Sequence, residues 1–160
     1  MKGRSPRSKT LATWLALLGG SLGAHRFYLY GSNDRWAWLH PWPTLAGLYG
    51  VRRMLELGQD DRMAWALIPL LGLMLSGSML AGIVYGLTSD ERWHERHGHG
   101  AAMRRTTWGP VIGAVAGLLV GGGVLIATIA FSAQRFFELQ SVENVSSDER
   151  PQGVFARGTP

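Results

Sequence analysis

Two long uncharged runs constrain the fold of this chain more than any other feature of its sequence. Residues 63–88 and residues 106–134 contain no Asp, Glu, Lys or Arg over 26 and 29 positions respectively. The hydrocarbon core of a bilayer is about 30 Å thick and is crossed by ~20 helical residues, so either run can cross it alone. The sequence therefore predicts an all-α integral membrane protein built as a helical bundle.

The charged residues favour a membrane surface over nucleic acid as the partner of the polar segments. The net charge is +5, and the 16 Lys and Arg are spread over the N-terminus and the loops among 11 acids. A nucleic-acid-binding domain would instead cluster its basic residues on one soluble face. The chain has no cysteine, so it forms neither disulfides nor thiolate metal sites. Its 14 Arg against two Lys suggest a bacterial source.

The N-terminal segment predicts a first membrane span with the N-terminus in the cytoplasm. Residues 1–9 carry four basic side chains and no acid, and an apolar run begins at Leu11. A cleaved signal peptide is the alternative, but the apolar character continues as far as Tyr30. We therefore expect a retained span over residues 10–30, oriented by the excess of basic residues before it. On one continuous helix Gly19, Gly23 and Arg26 share a face, and His25 points elsewhere.

The end of this predicted span carries the most distinctive motif of the chain. Residues 23–29 are Gly-Ala-His-Arg-Phe-Tyr-Leu, and Lys9, Ala12 and Leu17-Leu18-Gly19 precede them. This pattern resembles the opening of the TM-two (TM2) domain family, whose first helix typically ends in Gly-x-His-Arg-Phe-Tyr-Leu-Gly. The resemblance implies a pair of transmembrane helices over residues 10–57 in a small membrane protein. Bacterial members mostly lack an assigned activity, and animal relatives are implicated in signalling. The candidate lipid or partner contacts are Gly23, His25, Arg26, Phe27 and Tyr28.

The second helix of the pair is harder to place from the sequence. Residues 36–43 contain three Trp and two Pro, which predicts an interfacial turn followed by a short helix over residues 44–57. The uncharged residues 41–51 cover only about 17 Å as a helix, so a span and a re-entrant helix both stay open. The bundle therefore has three or four transmembrane helices. Arg52 and Arg53 stand where the family has an acid, so no partner for Arg26 is identified there.

Two polar segments contain side chains that could hold a metal. Asp60 and Asp61 precede the uncharged run at residue 63, and we expect a helix cap there rather than a catalytic or metal-binding pair. In the loop over residues 89–107, a zinc-like site at His94, His97 and His99 is the alternative to a solvated loop. Because the ligand set is not closed, we expect the solvated loop, with no metal and no cofactor.

Regularly spaced glycines predict close packing of the C-terminal helices. The last span, near residues 108–133, forms a hairpin with the span at residue 63 and contains an extended Gly-x-x-x-Gly pattern. Small residues at this spacing let helix backbones approach each other. We expect the pattern to pack on the helix that begins near residue 63, and residues 141–160 to form a disordered tail. The candidate packing residues are Gly19, Gly82, Gly86, Gly109, Gly113, Gly117 and Gly121.

These features favour a structural or interaction role over catalysis. The two C-terminal spans contain no Asp, Glu, Lys, Arg or His, whereas an ion or proton pathway normally carries such residues. The chain also lacks the Gly-x-Ser-x-Gly, His-Glu-x-x-His and Walker motifs. We expect a non-enzymatic protein of the bacterial inner membrane, with a scaffold, accessory or signalling-type role. Its partners would be the lipid bilayer and a membrane protein or a second copy of the chain. A small transporter or channel component is the alternative.

Overall fold

The computed structural model describes residues 6–98, 102, 105 and 107–148, with side chains described as far as residue 141. All regular secondary structure in this part of the chain is helical, which confirms the all-α prediction. The helices are α1 (Lys9–Gly19), α2 (Ala24–Tyr30), α3 (Arg35–Leu39), α4 (Pro41–Leu57), α5 (Arg62–Leu87), α6 (Asp90–His97) and α7 (Gly109–Asp148), with a 3₁₀ turn at Gly20–Leu22. Among the described residues, α5 and the Gly109–Ser141 part of α7 are long and apolar enough to cross a membrane.

Helix α5 is the central element of the fold, because α1, α4 and α7 all pack against it. Asp61 is its N-cap: the carboxylate accepts a hydrogen bond from the amide of Ala64, which confirms the predicted cap. Pro69 lies inside the helix. Helix α7 lies antiparallel to α5, since Gly86 near the end of α5 faces Pro110 and Gly72 faces Thr128.

The N-terminal half of the chain follows α5 in two successive pieces. Helix α1 covers the C-terminal half of α5: Lys9 pairs with Asp90 just beyond the end of α5, and Gly20 lies against Ser78. Helix α4 then covers the N-terminal half of α5, in the same antiparallel direction. Together, α1 and α4 therefore extend from the C-terminal end of α5 to its N-terminal end.

The contacts between α4 and α5 are close enough to need glycine. A Cβ added to Gly47 would lie 2.5 Å from Cβ of Leu71, and one added to Gly50 would lie 2.6 Å from Cβ of Leu67. These two glycines let the backbones approach where larger side chains would hold them apart.

The expectation of one continuous span over residues 10–30 is wrong. Helix α1 ends at Gly19, and Gly23 adopts a left-handed conformation with φ +81° after the 3₁₀ turn. Helix α2 then runs back along α1, since the Ser8 amide donates a hydrogen bond to the Tyr28 hydroxyl over 2.8 Å. The reversal requires a positive φ, which glycine adopts without the steric cost that a Cβ imposes.

The tryptophan- and proline-rich segment is also more helical than its sequence predicted. The structure has the short helix α3 before His40 and begins α4 at Pro41, not at residue 44. Pro41 and Pro43 both lie in the first turn of α4, where backbone amides have no acceptor within the helix. Neither proline therefore removes a hydrogen bond from the helix.

Two C-terminal segments differ from the predicted loop and tail. Residues 90–97 form the helix α6 in place of a loop. Ser89 caps it and Trp93 is buried, whereas Glu91, Arg92, Glu95 and Arg96 are exposed to solvent as predicted. Helix α7 continues to Asp148, eight residues into the segment that was predicted to be disordered. The rest of that predicted tail lies outside the described residues.

Candidate functional site

Arg26 and Asp34 form an ion pair beside the turn that joins α2 to α3. The Nε of Arg26 donates to Oδ2 of Asp34 over 2.8 Å, and the Asp34 side chain is only 13% exposed. This hydrogen bond holds the pKa of the Asp34 carboxyl below its ordinary value. Asp34 also accepts from the Trp36 amide and caps α3, while the Arg26 guanidinium lies 5.4 Å from the Tyr30 ring centroid. One carboxylate thus orients Arg26 and starts the next helix.

His25 occupies a different side of α2 and is almost fully buried at 3% exposure. Its ring centroid lies 5.8 Å from that of His40 and 5.9 Å from that of Tyr85 on α5. Its Nδ1 is shielded from solvent and has no hydrogen-bond partner within the described part of the chain. Gly20 lies next to this nitrogen, because a Cβ added there would be 3.3 Å away. The imidazole therefore fills the space between the end of α1, α4 and α5.

Phe27 and Tyr28 complete the motif and contact other neighbours. The Phe27 ring packs edge to face on Trp38 of α3, with centroids 5.3 Å apart. Tyr28 accepts the hydrogen bond from Ser8, and the guanidinium of Arg7 lies 5.0 Å from its ring centroid. Helix α2 thus brings the motif residues together within two turns, but their side chains point to different elements. Because the helix is broken at Gly23, Arg26 does not continue a face of α1.

A cleft of about 360 Å³ lies at the N-terminal end of α1. It lies between the segment that precedes α1, helix α6 and the residues that lead into α7. We call it the N-terminal cleft. Its lining includes Arg7, Lys9, Asp90, Trp93, His94 and Arg105.

Three hydrogen bonds hold the backbone that forms one wall of the N-terminal cleft. The indole Nε1 of Trp93 donates to the Arg7 carbonyl over 2.9 Å. The Arg7 amide donates to the His97 carbonyl over 3.2 Å, and the next residue donates its amide to Tyr28. Lys9 and Asp90 add an ion pair, with Nζ and Oδ1 3.0 Å apart and both side chains largely buried. The N-terminal segment is thus fixed to both α6 and α2.

A third ion pair lies at the N-terminal end of α5. Arg53 of α4 donates from Nε to Oδ2 of Asp61 over 2.7 Å and from Nη2 to Oδ1 over 3.1 Å. This bidentate pair holds the pKa of the Asp61 carboxyl below its ordinary value. Asp61 therefore has two structural roles, as the cap of α5 and as the anchor of the end of α4.

The glycines of α7 face two different helices. Gly117 and Gly121 lie against α5, and a Cβ added to Gly121 would be 2.8 Å from Cβ of Met79. Gly109 and Gly113 lie against α1 instead, and a Cβ added to Gly113 would be 2.7 Å from a threonine methyl group of that helix. The expectation that the whole pattern packs on α5 is therefore wrong for its first half.

The remaining candidate glycines also differ in what they contact. Gly82 of α5 faces α1, with Ala16 Cβ at an ordinary 3.5 Å from an added Cβ. Gly86 lies against the backbone of the first turn of α7. Gly19 meets Ala24 at the start of α2, so its close contact is within the reversal and not with a distant helix. Whether these residues are needed for packing stays a prediction.

The candidate metal ligands are not brought together in the described residues. His94 lines the N-terminal cleft, while His97 lies one turn further along α6 with its ring stacked on Trp93 at 4.4 Å. His99 lies outside the described residues. No group of three His, Cys, Asp or Glu side chains among the described residues is placed to hold a metal ion.

Two organising contacts were not predicted from the sequence, the pairing of Asp34 with Arg26 and the hydrogen bond from Trp93 to Arg7. Asp34 follows a Gly-Ser-Asn turn and precedes a short run of helix-forming residues, which is the signal of an N-cap. That signal could have indicated Asp34 as the nearest acid to Arg26. Trp93 gave no comparable signal, because its partner at Arg7 is 86 residues away in the sequence.

Residues 5–51 match the family model described as the TM2 domain, which confirms the resemblance based on the Gly-x-His-Arg-Phe-Tyr-Leu motif. The match covers α1, α2, α3 and the first part of α4. No curated protein and no solved structure matches the chain. The matched domain and the two long apolar helices together indicate a small membrane protein.

Proposed function

We propose that this chain, whose residues 5–51 form a TM2 domain, is a non-enzymatic protein of the bacterial inner membrane. It acts through contacts of its helices with lipid and with another membrane protein or a second copy of itself. The observation that carries the proposal is the exposure of the two longest helices. Only 11% of the most apolar stretch of α5 and 17% of that of α7 are buried within the chain. Such apolar surfaces are stable only when lipid or a partner helix covers them.

In this proposal the chain crosses the bilayer three times, and the first crossing is discontinuous. The 11 residues of α1 and the 17 residues of α4 span about 16 Å and about 26 Å, so neither helix alone covers the hydrocarbon core. Placed end to end along α5, they reach from one end of it to the other. Non-helical backbone is tolerated at membrane depth when protein surrounds it. The 3₁₀ turn meets this condition, because Gly20 is buried against Ser78.

The distribution of basic residues orients the three crossings. Residues 1–9 and 89–107 carry eight Lys and Arg, and the contacts of Lys9 and Trp93 place both segments at the same end of the bundle. At the other end, residues 52–62 carry three and residues 135–160 carry three more. The end with more basic residues faces the cytoplasm. The N-terminus is then inside, and residue 160 is outside.

Reporter fusions test this topology. Alkaline phosphatase joined after Gly58 or after Pro160 should be active, because the enzyme folds only outside the cytoplasm. The same reporter joined after Gly98 should be inactive, and a fluorescent protein at that position should be bright. An inactive Pro160 fusion together with an active Gly98 fusion would contradict the orientation. An inactive fusion at Pro160 alone would indicate an even number of crossings.

The side of α7 that carries Gly122 and Gly123 is a surface on which a second helix could pack. Gly122 and Gly123 meet no atom within 4 Å of an added Cβ, and exposed apolar side chains flank them. Small residues on a lipid-facing surface let a second helix approach closely. We expect Gly123→Leu to reduce the partner or second copy recovered after crosslinking in membranes. Gly77→Leu is the control, since Gly77 on α5 is also in open space. Equal recovery from both variants would count against this surface.

One observation favours the second candidate function, a small transporter or channel component. The first crossing is broken beside the buried His25, whose Nδ1 has no hydrogen-bond partner among the described residues. Broken helices with polar groups at that depth form the binding sites of many transporters. Purified protein in liposomes should show no flux of protons or of inorganic ions above that of empty vesicles. Flux that disappears in His25→Ala would replace the contact role with transport.

A further inference from the structure

We propose that the N-terminal cleft binds the phosphate of an anionic ligand at the cytoplasmic membrane surface. This inference rests on the membrane placement given under the proposed function. The cleft lies where α5 ends and α7 begins, at the depth of lipid headgroups. The exposed Trp108 (76%) marks this depth at the start of α7, since Trp concentrates at the membrane interface. A volume of about 360 Å³ is within the usual range for small-ligand sites.

The charge of the lining favours an anion. Arg7, Lys9 and Arg105 contribute three positive charges, and among the described lining residues Asp90 is the one acidic side chain. Asp90 forms an ion pair with Lys9. The described lining therefore carries more positive than negative charge, and two of its cations are guanidinium groups. Arginine suits phosphate because its planar group donates two parallel hydrogen bonds and stays charged at every physiological pH.

The guanidinium of Arg7 is the strongest single indication of an anion site in the cleft. Its Nε is shielded from solvent and has no hydrogen-bond partner among the described residues. A buried donor of this kind normally finds a partner, because leaving it unpaired costs about 1–3 kcal/mol or more for a charged group. The Tyr28 ring makes a cation–π contact with the Arg7 guanidinium, but it offers Nε no hydrogen-bond acceptor. A phosphate oxygen would supply that acceptor.

The cleft is also organised before any ligand arrives. The Trp93 indole and the His97 carbonyl fix the backbone of Arg7, and Tyr28 fixes the residue that follows. Holding the backbone reduces the conformational entropy lost on binding. His94 adds a further possible donor on the α6 side. The ligand class is therefore a phosphate monoester or diester, carried either by an anionic lipid or by a soluble molecule.

The test uses the purified full-length chain in dodecylmaltoside micelles, with the thermal unfolding midpoint as the readout. Phosphatidylglycerol added in increasing mole fraction should raise the midpoint, because a ligand that binds only the folded state stabilises it. Phosphatidylcholine, which has no net charge, should not. Arg7→Gln should weaken the apparent affinity for phosphatidylglycerol about tenfold, the effect of losing one charge-assisted hydrogen bond. Arg105→Gln should weaken it too, and it provides a second variant if Arg7→Gln does not fold.

Arg52→Gln is the matched control, because it removes the same charge at the opposite end of the bundle from an exposed pair with Glu56. It should leave the lipid response unchanged. Inorganic phosphate at millimolar concentration, without lipid, distinguishes the two sources of the ligand. A rise that depends on Arg7 would assign the cleft to a soluble phosphate compound. No rise with phosphate, together with the lipid response, would assign it to a headgroup.

Two results would overturn the inference. The first is an equal response to phosphatidylglycerol in the parent protein and in both cleft variants. The second is no response to either the lipid or inorganic phosphate. Carbonate extraction of membranes tests the proposed function separately, since release of the chain from the membrane would refute membrane insertion whatever the micelle experiments show.

Discussion

Replacing Gly23 by alanine tests the reversal on which the N-terminal half of the fold depends. Gly23 has φ +81°, and an added Cβ would lie 2.6 Å from the Ala37 carbonyl oxygen and 3.2 Å from Cβ of His40. The left-handed conformation costs a non-glycine residue about 1–2 kcal/mol. The contact with α3 adds an over-packing cost of about 1–3 kcal/mol. We expect Gly23→Ala to lower the free energy of unfolding by about 2–5 kcal/mol.

The free energy of unfolding can be measured by titrating SDS into dodecylmaltoside micelles and following tryptophan fluorescence. Two further variants separate the two costs. Gly31→Ala has backbone strain at φ +85° but no atom within 4 Å of the new Cβ, so it should cost about 1–3 kcal/mol from strain alone. Gly23→Asn tolerates the left-handed conformation but keeps the contact with Ala37. It should therefore be more stable than Gly23→Ala and less stable than the parent protein.

The reasoning is refuted if Gly23→Ala changes the free energy of unfolding by less than about 0.5 kcal/mol, the range of ordinary surface substitutions. It is also refuted in part if Gly23→Asn is as stable as the parent protein. That result would mean that α3 does not approach Gly23 as closely as the structure shows. Backbone strain at Gly23 would then account for the whole loss of free energy of unfolding in Gly23→Ala, and α1 and α2 could separate from α3.

Three other predictions concern single contacts, each measured as the free energy of unfolding in mixed micelles. Because Arg26 lowers the folded pKa of Asp34 below its ordinary 3.8, their pair stabilises the fold above that pH and the stability is lost as the pH falls through the folded pKa. Asp34→Asn should remove this acid dependence, and an unchanged pH profile would argue against the pair. Gly113→Ile should cost about 1–3 kcal/mol by over-packing against α1, whereas Gly123→Ile on the same helix meets no atom and should cost less; equal losses would contradict this packing. Trp93→Phe keeps the ring but leaves the carbonyl acceptor unpaired, so we expect a loss of about 1–3 kcal/mol, and a loss near zero would mean that the N-terminal segment is not held by α6.

The two long helices could be predicted because their signal is local. An uncharged run of sufficient length determines a membrane-compatible helix without reference to the rest of the chain, and Asp61 marks the start of α5 by its own capping chemistry. The motif of α2 was equally visible in the sequence, and the family match confirms it. The partners of the side chains on α2 could not be predicted in the same way, because these side chains face three different elements of the fold.

The reversal at Gly23 could not be predicted from the residues that form it. Glycines inside an apolar run are common in transmembrane helices, where they usually indicate close packing with the helix unbroken. Only contacts with other elements distinguish a broken helix from an unbroken one. Here these contacts are the approach of the Ala37 carbonyl and of Ser78 to the turn. The same reason explains the missed role of Trp93, whose acceptor lies at the other end of the sequence.

A broken first crossing is tolerated at membrane depth only if its free backbone groups find partners inside the protein. The structure supplies these partners from the break itself and from α4. The amide of Gly23 donates to the Gly20 carbonyl over 2.9 Å, and the Gly23 carbonyl accepts from the amides of the first turn of α2. The Ser21 carbonyl accepts a 2.6 Å hydrogen bond from the buried hydroxyl of Thr44. Thr44 lies on α4, so this helix satisfies the backbone where α1 stops. The two short helices are therefore joined by a hydrogen bond as well as by position. In the proposed topology, separating them would expose the Ser21 carbonyl to hydrocarbon.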